Sequence, residues 1–156
     1  MQRRARRQRA FTLVELLITI VVVAALAMLA VPAYQRAVER AYVAQAVRDI
    51  GEIAMALERR RTTSGSYPAS LGELSDSLPQ LDPWKRPYRY LPIDVVPRPP
   101  TGAVRRDKNL NPLNRDFDLY SVGKDGRTQT QLTGARARDD IVRAGNGSFI
   151  GKAEDH

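Results

Sequence analysis

The stretch that decides the fold is residues 11–31, FTLVELLITIVVVAALAMLAV. Eighteen of its 21 residues are apolar, and the exceptions are Thr12, Glu15 and Thr19. As a helix that rises about 1.5 Å per residue, this run reaches about 31 Å, which is enough to cross the hydrocarbon core of a bilayer. We therefore expect a single membrane-spanning helix near the N-terminus.

Positive charge is concentrated in front of this run. The 156-residue chain has 25 basic and 17 acidic residues, a net charge of +8, and five of its arginines lie in residues 1–10, MQRRARRQRA. Basic residues flanking an apolar helix mark its cytoplasmic side, so everything after Val31 is expected to face the periplasm or the exterior. Because the charge is explained by this leader, we expect no nucleic-acid partner.

The composition excludes several kinds of active site. There is no cysteine, so disulfides, cysteine-ligated zinc and thiol nucleophiles are excluded. The only histidine is His156, which leaves no residues for a multi-histidine metal site or a Ser-His-Asp triad. We therefore predict that the protein is not an enzyme.

Two other interpretations of the apolar run remain open. It resembles a cleaved secretory signal, because Ala25, Leu26 and Ala27 form a small-x-small site, although the run is long and carries a carboxylate. It is also compatible with an ordinary anchor, although an intramembrane glutamate costs about 2.5–3.5 kcal/mol and usually has a partner.

The N-terminal region resembles a type IV prepilin signal. It has a basic leader, a small residue, the sequence Phe-Thr-Leu-Val-Glu at 11–15 and a long apolar helix. The resemblance implies that prepilin peptidase cuts between Ala10 and Phe11 and that the new Phe11 amine is N-methylated. Ala10 departs from the glycine usual before the cut, and we expect processing to persist. Glu15 and Pro32 stand where such proteins have them.

Glu15 gains a partner in a filament of staggered helices. There the Phe11 ammonium of a neighbouring copy neutralises the Glu15 carboxylate away from water. Removing one partner of a buried ion pair costs about 3–5 kcal/mol. We therefore expect Phe11 and Glu15 to be filament-assembly residues.

The helix is predicted to continue through residues 32–61. Apolar residues recur there at spacings of three and four, which is typical of an amphipathic helix: Val43, Ala46, Val47, Ile50, Ile53, Ala54 and Leu57. Pro32 is expected to bend this helix rather than end it. The stripe should pack against a globular head.

That head comprises residues 62–156. Alternating residues predict strands at 89–93 and 117–122, and a last short strand at either 141–142 or 148–150. A capping box at 70–73 predicts a short helix that ends near residue 78. Residues 94–115 are predicted to form a long loop. The predicted fold class is α+β, with a long N-terminal helix packed on a small antiparallel sheet.

Three motifs in the head sharpen the resemblance. They are Ser-Tyr-Pro at 66–68, Asp-Pro-Trp with Pro-Tyr-Arg-Tyr over 82–90, and FDLYSVGKDG at 117–126. Together they resemble the major pseudopilin of type II secretion systems. The resemblance implies a pilin-like fold and an inner-membrane subunit that polymerises with copies of itself in the periplasm to drive export of folded proteins. It also implies minor pseudopilins and the inner-membrane secretion platform as partners.

The same resemblance implies calcium in the segment 119–140. The resemblance assigns the carboxylates of Asp125 and of Asp139 or Asp140 as ligands, with backbone carbonyls from residues such as Leu119 or Val122. Calcium prefers six to eight hard oxygen ligands in flexible loops. The alternative is that the Asp-Gly pair at 125–126 is a simple turn and that Asp139 pairs with an arginine.

Other charged residues are predicted to be solvated. These are residues 105–108 (Arg-Arg-Asp-Lys), Asp116 and Asp118, whereas Trp84, Tyr88 and Tyr90 are predicted to be packing residues. The rival interpretations are a minor pseudopilin, a type IV or competence pilin, and a membrane-tethered periplasmic enzyme.

Overall fold

The computed structural model describes residues 11–75 and 77–156, and these fall into two compact units with the division between residues 39 and 40. The predicted leader lies outside the described residues. Helix α1 spans Leu13–Ser64 and includes Pro32. The proline therefore does not end the helix, and a bend there stays a prediction.

Both ends of α1 are capped. The backbone N–H of Glu15 donates to Thr12 Oγ1 over 3.2 Å, so Thr12 satisfies one of the free donors of the first turn. At the other end Gly65 adopts φ +79°, and its N–H donates to the carbonyl of Arg61 over 2.7 Å. This left-handed cap closes the helix three residues beyond the predicted end at residue 61.

The predicted apolar stripe of α1 forms one side of the main core of the second unit. Its buried members are Ala46, Ile50, Ile53, Ala54 and Leu57. They form one cluster with the side chains of Tyr67, Tyr88, Phe117, Leu119 and Ile141. Trp84 and Tyr90 are partly buried and pack against this cluster, so the prediction that these aromatics are packing residues is confirmed.

The other side of this core is a four-stranded antiparallel sheet in the order β1-β2-β3-β4. Its strands are β1 (Arg89–Pro92), β2 (Phe117–Ser121), β3 (Ile141–Ala144) and β4 (Phe149–Lys152). The segments 141–142 and 148–150 were predicted as alternatives for a last strand, and both lie in strands. They belong to β3 and β4, which pair as a hairpin with Ile141 opposite Lys152. The predicted α+β arrangement is confirmed.

The predicted helix at 70–78 is wrong in length, since the described residues of this stretch form only the 3₁₀ turn Leu71–Glu73. Glu73 Oε1 accepts the N–H of Ser70 over 3.2 Å, as in a capping box. Beyond this turn the N–H of Ser77 donates to the hydroxyl of Ser75 over 3.3 Å. Such local serine bonds compete with helical ones and stop the turn.

Residues 94–115 carry no strand, as predicted, but part of this loop is buried. The N–H of Leu113 donates to Arg105 O over 2.7 Å, and the N–H of Arg106 donates to Thr130 O over 2.9 Å. Leu113 is also buried in a second apolar cluster, formed with Leu132, Val142, Ala144 and Ala153. The loop is thus tied to residues 127–138.

Candidate functional site

The first candidate site is the start of α1. All residues from 11 to 37 are exposed, and large apolar side chains such as Leu13 and Leu29 are 83% and 76% exposed. An apolar surface of this extent needs lipid or another protein to cover it. By length and composition, α1 is the one helix among residues 11–75 and 77–156 that could cross a membrane.

Phe11 and Glu15 lie at the exposed beginning of this surface, and Ala10 lies outside the described residues. The bond from the Glu15 N–H to Thr12 makes residues 12–15 a Thr-x-x-Glu helix start. Glu15 therefore has two candidate roles. It belongs to the helix start, and its carboxylate is available for an ion pair with a neighbouring copy. The assembly role stays a prediction, and an experiment on it must separate the two.

The second candidate site is the segment 119–140, where the structure brings Asp125 and Asp139 together. The N–H of Asp125 donates to Asp139 Oδ2 over 2.9 Å. Gly123 approaches the same residue: a Cβ on this glycine would lie 2.2 Å from Asp139 O, and its φ is +61°. The backbones at 123–125 and at 139 therefore meet in a close approach that requires glycine.

Asp140 is engaged differently. Its side chain is fully buried, its Oδ2 contacts Arg105 Nη2, and it accepts the hydroxyl of Thr128 over 2.6 Å. Burial raises the pKa of Asp140 to about 6, and the Arg105 guanidinium acts in the opposite direction.

A second arginine binds the other end of this segment. Arg86 donates from Nη1 to Gly123 O and from Nη2 to Lys124 O, the latter over 3.1 Å. Its backbone N–H donates to Asp82 Oδ1 over 2.8 Å, and Asp82 Oδ2 accepts the hydroxyl of Ser121. The turn at 82–86 is therefore hydrogen-bonded to the turn at 121–126. No local sequence pattern predicts this contact.

Calcium binding in this segment stays a prediction, and its candidate ligands have different surroundings. Asp140 faces a guanidinium, and Leu119 lies inside β2 opposite Tyr90. Val122 follows the last residue of β2. Within residues 11–75 and 77–156, no three acidic, histidine or cysteine side chains gather as a metal site. Asp125 and Asp139 are in contact, as one of the two predicted ligand pairs requires, whereas Asp140 already has Arg105 as a cationic partner.

The predictions that Arg105 and Asp118 are solvated are wrong. Arg105 is 3% exposed rather than solvated, and Asp118 is 1% exposed. Asp118 Oδ2 accepts the N–H of Arg105 over 2.7 Å, and its Oδ1 accepts Asn114 Nδ2 over 3.0 Å. Burial raises the pKa of Asp118, while these two hydrogen bonds lower it. Asp116 is also paired, since both its oxygens accept from the Arg143 guanidinium.

Two family models match the chain over neighbouring ranges. The prokaryotic N-terminal methylation motif matches residues 5–31. The type II secretion system (T2SS), protein G, matches residues 33–142, more than two thirds of the chain. The first covers residues 5–10 of the predicted leader and the whole apolar run, and the second covers the continuation of α1 and most of the head.

Curated proteins named type II secretion system core protein G match over most of their length. The Pseudomonas aeruginosa protein is 31% identical over 147 residues, which cover 81% of this chain and 89% of that protein. The Klebsiella pneumoniae protein is 31% identical, with 86% and 93% covered. The Escherichia coli K12 protein is 32% identical, with 89% and 92% covered. No solved structure was found to match the chain.

Proposed function

The chain belongs to the type II secretion system protein G family, and from this membership we propose how it works as a structural subunit of the secretion pseudopilus. The observation that carries the function is the pairing of a methylation motif over 5–31 with a protein G match over 33–142. The shared name core protein G favours the major subunit over a minor one.

The proposed topology is a single-pass inner-membrane subunit. The arginine-rich leader keeps the N-terminus in the cytoplasm, and the head, residues 62–156, lies in the periplasm. Prepilin peptidase removes residues 1–10 on the cytoplasmic side and methylates the new Phe11 amine. The apolar surface of residues 11–31 is covered by lipid before assembly and by neighbouring copies afterwards.

In the filament, the Phe11 ammonium of one copy pairs with the Glu15 carboxylate of its neighbour. The apolar surroundings make this pair selective, because a carboxylate left without a cation there costs about 3–5 kcal/mol. Minor pseudopilins and the inner-membrane secretion platform are the other partners. The proposed role is mechanical, and no catalytic step is assigned to the chain.

The experiment compares Glu15→Ala with Thr12→Ala in cells that assemble the filament. Glu15→Ala removes the charge, whereas Thr12→Ala removes the helix cap observed at 3.2 Å and keeps the charge. A cap is worth about 1 kcal/mol, which a helix of 52 residues tolerates. We expect Glu15→Ala to insert but form no filament, and Thr12→Ala to assemble.

The readouts are sheared-filament yield and membrane-fraction content of the subunit. Normal filament yield from Glu15→Ala refutes the proposed pair. An equal loss in both variants shows that residues 12–15 act only through the helix start.

A further inference from the structure

The loop at 127–138 is closed by three polar side chains, one from its beginning, one from just after its end and one from a distant part of the chain. Thr128 stands at its beginning and donates its hydroxyl to Asp140 Oδ2 over 2.6 Å. Arg105, from the 94–115 loop, donates from Nη1 to Thr128 Oγ1 over 3.0 Å and from Nη2 to Asp140 Oδ2. We call Arg105, Thr128 and Asp140 the arginine clasp.

Arg105 is fixed from several directions before it reaches the loop. Its N–H donates to Asp118 Oδ2 over 2.7 Å, and its Cζ lies 3.9 Å from the ring centre of Tyr120. The residue is 3% exposed, so its charge cannot be satisfied by water. Within the described residues, Asp140 is the one carboxylate that forms an ion pair with this buried guanidinium.

Two buried atoms of the clasp have no hydrogen-bond partner in the described part of the chain, and they complement each other. They are the donor Nε of Arg105 and the acceptor Oδ1 of Asp140. Nε and Nη2 lie on the same edge of a guanidinium, and carboxylates commonly pair with arginine through two parallel bonds. The open donor and the open acceptor are therefore matched in chemistry, and they belong to two groups that are already in contact through Nη2 and Oδ2.

The oxygens at the other end of the segment are also bound by donors. Gly123 O and Lys124 O accept from Arg86, Asp125 Oδ1 accepts the N–H of Arg127 over 2.7 Å, and Asp139 Oδ2 accepts the N–H of Asp125. A cation joining these ends would have to displace several of these bonds.

We propose that guanidinium groups take the structural place that the family resemblance gives to calcium: Arg105 closes the loop at Asp140, and Arg86 holds the carbonyls of Gly123 and Lys124. A calcium ion bound to Asp140 would lie about 2.3–2.6 Å from its oxygen, directly beside the buried Arg105 charge. Like charges at that distance repel, so guanidinium and calcium exclude one another here. The head of this pseudopilin therefore folds and stays folded without a divalent cation.

The test uses the full processed chain in mild detergent, with Trp84 fluorescence as the unfolding signal. The melting temperature is measured in excess EGTA and in millimolar calcium chloride, and calcium is also titrated by calorimetry. We expect the same melting temperature in both solutions and no saturable binding heat. A rise of several degrees with calcium, or one saturable calcium site, overturns the proposal.

The variant is Arg105→Gln, and its matched control is Arg136→Gln, which removes the same charge from an exposed position in the same loop. In EGTA we expect Arg105→Gln to melt several degrees below Arg136→Gln, because it leaves Asp140 buried without its cation. Equal melting temperatures overturn the proposal. If Arg105→Gln does not fold, the wild-type calcium measurements and a milder Thr128→Val variant, expected to melt below wild type, decide the question. None of these readouts depends on filament assembly.

Discussion

Replacing Gly123 by alanine should loosen the segment that joins β2 to β3. The new methyl group would lie 2.2 Å from Asp139 O and 2.7 Å from Asp139 C, whereas non-bonded atoms keep about 3.5 Å apart. Because both contacts are with backbone, no side chain can rotate away, and the segment at 139–140 must move by about 1 Å. Overpacking of this kind costs about 1–3 kcal/mol.

The matched control is Gly65→Ala at the end of α1. Gly65 also has a positive φ, +79°, but a methyl group there meets no atom within 4 Å. Both substitutions carry the left-handed backbone cost of about 1–2 kcal/mol, and both change the unfolded chain equally. We expect Gly123→Ala to lose about 2–5 kcal/mol of unfolding free energy and Gly65→Ala only about 1–2 kcal/mol.

The measurement is urea unfolding of the processed protein, followed by the fluorescence of Trp84, which packs against the main core. A Gly123→Ala variant that unfolds at the same urea concentration as Gly65→Ala would show that the close approach to Asp139 carries no energy. The reasoning about this segment would then be wrong.

Two further predictions concern buried polar groups. Burial raises the pKa of Tyr88 and Tyr90 above the usual value of about 10. The contribution of these two tyrosines to the unfolding free energy should therefore be constant below about pH 10 and fall as pH rises above it. An absorbance titration in which every tyrosine ionises near pH 10 with the fold intact would contradict this. Asp118→Asn should lower the unfolding free energy by about 1–3 kcal/mol, because its new NH₂ group faces one of two buried donors. Asp94→Asn, at a surface ion pair, should lower it by at most about 1 kcal/mol, and equal urea midpoints for the two variants would refute this difference.

The main features of the fold could be predicted because their signals are local. The apolar stripe from Ala46 to Leu57 follows helical spacing, and it is the part of α1 that packs on the sheet. The end of α1 was predicted within three residues because a glycine follows it. The β3–β4 hairpin was only half predicted, because each strand has four residues and little alternation.

The charged contacts of the head could not be predicted in the same way. Arg105 looked solvated because its neighbours are charged and its loop has no periodicity. Its partner Asp140 is 35 positions away, and Asp118 is 13 positions away. Periodicity reports which face of an element is buried, but an ion pair between two loops leaves no repeating pattern. The same limitation hides the contact of Asp140 with Arg105, so the sequence leaves Asp140 as a candidate calcium ligand.

The account depends most on processing at the start of α1, and the intact mass of the membrane-extracted protein tests it directly. We predict the mass of residues 11–156 with one added methyl group. A mass that still includes Met1, or one that shows cleavage near Ala27, would contradict the assignment of this chain as a processed pseudopilus subunit.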